Sequence, residues 1–224
     1  MDDELIYAMY PAFRATGELR ALGPGELEDA AQEIEELFKE RADRVAVRGT
    51  YSTVGFRADA DLLCWWHGPS LEELRELLIA FRRTRAGRRM ELAHLFLGVT
   101  RPAEFTPDHR PAFVKGEPPK PVLCVYPFVR TAEWYLLPRE ERAALLREHG
   151  ELGREFPDVL ANTTSAFGLG DWEWILAFEA DTPDRLVDCI RRLREARARL
   201  YTKEEVPFVT GVRADVRSAL ADMT

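Results

Sequence analysis

Apolar positions along the chain recur two apart in some stretches and three and four apart in others, so strands and amphipathic helices alternate. The stretch RADADLLCWWHGPSLEELRELLIAFRRTRA, 57 to 86, reads as an aromatic-rich strand, a Ser70 N-cap and a helix. The stretch LGDWEWILAFEADTPDRLVDCIRRLREARA, 169 to 198, reads the same way with Thr182 as the cap. The two align without a gap at an offset of 112 in a chain of 224, which marks a duplication. Asp59 falls on Asp171, Trp66 on Phe178, Leu74 on Leu186, Phe81 on Leu193 and Arg82 on Arg194.

Upstream, YPAFRAT (10 to 16) and YPFVRT (126 to 131) each begin a half. Each is followed by a helical pattern, 25 to 42 or 138 to 156, and then by a strand, 45 to 54 or 159 to 167. The halves close on strands at 92 to 99 and 206 to 212. The order strand, helix, strand, strand, helix, strand is the ferredoxin-like unit. The expected class is therefore α+β, with tandem ferredoxin-like repeats, 1–112 and 113–224, forming a dimeric α+β barrel. A proline-rich connection, 100 to 121, joins them, and loops of this length are usually functional or disordered.

Composition narrows the partners. Hydrophobic residues make up 46% of the chain, enough for a core, while a net charge of -8 argues against nucleic acid and anionic membranes. The run RRTRAGRR (82 to 89) sits late in a helical pattern and reads as a solvated helix end. The acidic N-terminus has no basic region followed by an apolar one, and no apolar run approaches the ~18 residues of a membrane span, so a cytoplasmic location is expected. Cys64, Cys124 and Cys189 are widely spaced and read as buried thiols.

The first helices of the two halves differ most. In the second, Leu145, His149, Leu152 and Phe156 form one stripe expected to face the sheet. His149 is then either a core histidine with a satisfied ring nitrogen or an axial ligand on a rigid helix. On the strand at 126, Tyr126, Phe128 and Arg130 alternate with Pro127 and Val129 and so share a side, looking toward His149 across a gap a planar ligand could fill. Plain packing of a tyrosine and a half-exposed arginine is the competing reading. The tryptophans at 65, 66, 134, 172 and 174 read mainly as core.

The stretches YPFVRTAEWYLLPREERAALLREHGELGREF, FGLGDWEWILAFEAD and EEVPFVTG, in that order, resemble coproheme decarboxylases, chlorite-dismutase-like proteins of Gram-positive bacteria, in their actinobacterial branch. The resemblance covers essentially the whole chain. It implies a homopentamer in which 113–224 binds coproheme while 1–112 serves as scaffold. The implied reaction is the peroxide-dependent removal of two propionates of iron coproporphyrin III as CO2 to give heme b, so that coproheme is both substrate and redox cofactor. Tyr126 matches the tyrosine that becomes a radical and takes hydrogen from the propionate, and His149 matches the axial iron ligand. His109 matches a distal histidine that takes the first proton of peroxide. Arg130 and Arg154 match basic positions near the propionates, and Trp134 matches a tryptophan beside the porphyrin. A transient contact with the ferrochelatase that supplies coproheme is also implied. Two rivals are a chlorite dismutase or weak heme peroxidase, and a heme carrier without chemistry. The strand VLANTTSAF lacks the arginine that chlorite dismutases carry there, and His67 and His94 match no site of the family.

Overall fold

The computed structural model describes residues 5–102, 104–105 and 110–224. Along the chain run β1 (Tyr7–Ala15), α1 (Gly17–Arg20), α2 (Pro24–Glu40), β2 (Ala46–Ser52), β3 (Leu62–Gly68), α3 (Leu71–Phe81) and β4 (Met90–Val99). There follow β5 (Val122–Arg130), α4 (Ala132–Leu136), α5 (Arg139–Gly153), β6 (Leu160–Ser165), β7 (Trp174–Ala180) and α6 (Pro183–Leu193), then β8 (Thr202–Glu204), β9 (Val209–Ala214) and α7 (Val216–Ala221). The α+β class and the repeated element order agree with the sequence reading. Two compact units result, one of Met1–Val99 with Val209–Thr224, the other of Thr100–Phe208.

In the first unit the antiparallel order is β4-β1-β3-β2-β9. Pro24 opens α2 within its first turn, and the Glu26 carboxylate accepts from the Gly23 amide at 3.0 Å. The Ser70 hydroxyl accepts from the Glu73 amide, so α3 starts where the cap was expected. Thr182 occupies the N-cap of α6 as expected, but its side chain accepts no amide there, and Pro183 starts the helix with its fixed backbone angle. Met9 and Phe13 of β1, Leu62, Cys64 and Trp66 of β3, Ala30, Ala31 and Ile34 of α2, and Leu74, Leu77 and Phe81 of α3 fill one apolar core.

In the second unit the order is β6-β7-β5-β8, antiparallel throughout, with Tyr126 opposite Leu176 and Phe128 opposite Trp174. Val122, Cys124, Tyr126, Phe178, Ala180 and Leu186 form its main cluster, and Trp134, Leu145 and Ala198 a second. The described part of the interrepeat connection is docked on this unit. Buried Asn162 accepts from the Phe113 amide at 2.8 Å and donates to the Ala177 carbonyl and Glu179 carboxylate, and Glu179 also accepts from the Lys120 amide. Two fully buried polar side chains are thereby satisfied by holding a loop. All three cysteines are buried and none forms a disulfide.

Candidate active site

In the second unit α5 packs closely against α6 and the 3-10 turn at Arg197–Tyr201. The expected stripe is cut short because α5 ends at Gly153, so Phe156 follows it. Between α5, the 110–117 segment, β6, β7 and α6 lies a cavity of about 550 Å³, bordered by His149, Phe156, Leu176, Phe178, Cys189 and Leu193. Ligand pockets are usually ~300–1000 Å³, so this space is of a size to hold a bound small molecule. Gly150 and Gly153 face it from the helix, and a Cβ built on Gly150 would meet nothing within 4 Å. Glycine inside a helix costs about 1 kcal/mol relative to alanine, and no close packing of the helix at Gly150 offsets that cost.

His149 also borders a second, smaller cavity of about 70 Å³, which Tyr126, Phe128 and Arg130 enter together from β5. The side shared by these three, expected from period two, is thus the side that faces the histidine. Neither ring nitrogen of His149 is hydrogen-bonded among the described residues. Burial first, and then the charge of Arg130, hold its imidazole below the ordinary histidine range, so a neutral ring with a free lone pair stands at the junction of both cavities. Among the described residues no three His, Cys, Asp or Glu side chains converge as a bare metal ion would need, which leaves His149 as a single donor. That arrangement fits an iron already held in a macrocycle.

Tyr126 is 5% exposed, stacked on Phe208 with ring centroids 4.3 Å apart and tilted against Phe178. Burial pushes its phenol well above the usual range, the nearby Arg194 and Arg199 opposing the shift, so it stays protonated at any working pH. The Arg130 guanidinium donates to the Ala198 carbonyl at 2.9 Å and lies 4.2 Å over the Trp134 ring, while its own amide donates to Glu173. Burial draws its pKa down to about 10. Its guanidinium hydrogen-bonds a carbonyl and the Thr202 hydroxyl rather than a carboxylate, so it can still pair with a carboxylate of a ligand. Trp134 is 5% exposed and packs on Tyr201 and under Arg130; it borders neither cavity and braces the arginine instead. Arg154 caps the C-terminus of α5, is exposed, and borders the larger cavity with Arg110 and Lys115. His109 lies outside the described residues.

Three further residues of the smaller cavity escaped the sequence reading: Arg194, Arg199 and Glu205. Glu205 pairs with both arginines. The charged run REARARLYTKEE (194 to 205) was their signal, and its alignment with the solvated run at 82 to 89 concealed it. Around the two cavities the unit therefore gathers six cationic side chains, Arg110, Lys115, Arg130, Arg154, Arg194 and Arg199, an arrangement suited to a ligand with several carboxylates.

Residues 27–214 match the family described as Chlorite dismutase. The chain is 46% identical over 229 aligned positions to a coproheme decarboxylase of Mycolicibacterium smegmatis, covering 100% of this chain and 96% of the relative. It is 29% identical to a coproheme decarboxylase of Thermus thermophilus, covering 84% and 81%. In three dimensions it is similar to chlorite dismutase from Candidatus Nitrospira defluvii in complex with imidazole, with a TM-score of 0.87, 22% identity, and coverage of 97% and 94%.

Proposed function

The chain belongs to the chlorite dismutase family, and within that family we propose that it acts as a coproheme decarboxylase, an oxidoreductase of heme biosynthesis that converts iron coproporphyrin III to heme b at the expense of hydrogen peroxide. Each propionate gives up CO2 and leaves a vinyl group while one peroxide becomes two waters; a proton is consumed, so the atoms and charges balance. The observation that carries this reading is the meeting of Tyr126, Arg130 and His149 on one cavity of the second unit. Coproheme is both substrate and cofactor, and its iron supplies the redox chemistry with peroxide.

His149 holds the iron through its neutral imidazole, and the glycine after it lets a flat ring approach the helix. Arg130 fixes a reacting carboxylate beside Tyr126, with Trp134 keeping the guanidinium in place. Because the Tyr126 phenol is kept protonated, it loses a proton together with an electron, which equips it to take a hydrogen atom from the propionate β-carbon. Arg154 meets a carboxylate at the opposite, exposed end. His109 acts as the proton acceptor for peroxide near neutral pH. The half 113–224 thus carries most of the reacting groups, with His109 and Arg110 added from the connecting loop, while the rest of 1–112 supplies the scaffold. We place the enzyme in the cytoplasm as a homopentamer that meets the ferrochelatase making its substrate; no helix among the described residues is long and apolar enough to cross a membrane.

Incubation of the purified chain with iron coproporphyrin III and peroxide, followed by mass analysis of the porphyrin, tests the assignment. Successive loss of two CO2 groups with a three-propionate intermediate is expected. Porphyrin left intact would point to a carrier, and oxygen evolution from chlorite in its place to chlorite breakdown; β6, LANTTS, carries no arginine that would favour the latter.

A further inference from the structure

Arg194, at the C-terminal cap of α6, and Arg199, on the 3-10 turn that follows, reach the same oxygen of Glu205. All three border the cavity that Tyr126 and Arg130 enter. Glu205 is the most enclosed of the trio, with a side chain 15% exposed against 33% and 41% for the arginines. Two guanidiniums close enough to act on one another and on the Tyr126 phenol would repel without an anion between them. We propose that Glu205 is a stand-in for the substrate's carboxylate: it keeps Arg194 and Arg199 paired in the empty site, yields one of them to an incoming propionate, and takes it back once that propionate has left as CO2. The idea rests on the decarboxylase reading and adds to it a residue that moderates how much more tightly substrate is held than product.

The exchange follows from charge balance. A guanidinium moving from Glu205 to a propionate trades one charge-assisted pair for another and never faces the apolar wall unpaired. After decarboxylation the vinyl group offers no charge. A guanidinium still waiting there would be left in a half-buried site without a counter-charge, at part of the cost of its desolvation. Glu205 removes that penalty from the product complex, and its competition weakens the hold on the reactant. It therefore narrows the difference in affinity between a four-carboxylate porphyrin and a two-carboxylate one.

Titrating the full-length protein and its Glu205→Gln variant with iron coproporphyrin III and with iron protoporphyrin IX tests this. The amide keeps the shape and removes the charge. Binding of iron coproporphyrin III is expected to tighten by about ten-fold, the scale of one charged hydrogen-bond competition removed, while that of iron protoporphyrin IX does not tighten. Glu205→Asp, charged but one methylene short, moves the ratio of the two affinities in the same direction by less, so the idea stays testable if the amide variant folds poorly. Parallel weakening of both porphyrins would make Glu205 a strut and overturn the proposal, as would unchanged affinities. A wild-type protein that neither prefers the four-carboxylate porphyrin nor decarboxylates it would instead overturn the functional reading beneath.

Discussion

In the first unit α2 buries Ala30, Ala31 and Ile34 against Trp66, Phe81 and the underside of its sheet; in the second, α5 buries Leu145 alone and stands off its strands across a cavity. The same order of elements thus encloses a finished core once and an open one once. A slip in register accompanies the change. Trp66 aligns with Phe178, and their strand partners are Met9 and Cys124, an offset of 115, whereas the matching YP motifs lie 116 apart. One residue of slip turns a side chain to the other face of a strand. Tyr10 accordingly packs on Trp65, apart from the cluster that takes Met9 and Phe13, while Tyr126 looks into the helix-side cavity. The sheet thereby keeps its pairing while one phenol is turned from packing toward a cavity.

The largest effect should come from setting these two tyrosines against each other. Tyr126→Phe removes only the oxidisable hydroxyl and is expected to abolish decarboxylation while coproheme still binds; Tyr10→Phe, whose ring packs on Trp65 away from that cavity, should leave both binding and turnover intact. Product masses and a binding titration read both, and conversion by the first variant would end the radical role of Tyr126. Next in size is the contrast of cores. Ile34→Ala empties part of a closed cluster and should cost about 2–5 kcal/mol in urea unfolding, whereas Leu176→Ala, whose side chain already borders open space, should cost clearly less. Equal losses would mean that the second unit is no hollower than the first.

Much of this contrast could be read before any coordinates. Alternation along 126 to 130 is local geometry, so the grouping of Tyr126, Phe128 and Arg130 and the helical setting of His149 came from spacing alone. The missed features are the long-range ones. Glu205 meets Arg194 and Arg199 only because the chain turns back through Arg197–Tyr201 into β8, and no period encodes that return. The equivalence of Arg82 and Arg194 was correct as sequence, yet Arg82 is exposed and Arg194 borders the cavity, since duplicated backbones do not duplicate what lies opposite. The register slip was hidden by the YP motif itself, which looked like a shared anchor.

A smaller effect belongs to acid. His67, in the filled half, is held at about 4 by burial and then by Arg48, against an ordinary value near 6.5. The folded state therefore keeps it neutral, and unfolding lets it take a proton. Its contribution is constant above about pH 6.5, falls as the pH drops toward 4, and amounts to at most about 3 kcal/mol. His67→Gln should flatten the loss of stability between these limits, as followed by urea midpoints. A slope unchanged by the substitution would place the acid sensitivity elsewhere.

The smallest change cuts closest to the difference between the halves. Gly150→Ala adds one methyl group where nothing stands within 4 Å, in a helix that glycine weakens. If the cavity were only a packing fault, alanine should be better in every respect, raising stability by about 0.5–1 kcal/mol. If the glycine is there to let a macrocycle lie against the helix beside His149, the same methyl group should stabilise the ligand-free protein by that amount and weaken coproheme binding, so that ligand-induced protection against heat shrinks while the starting melting temperature rises. Opposite signs from one substitution distinguish a space kept for a ligand from a space left by chance. A rise in both quantities would argue that α5 stands off its sheet for some other reason.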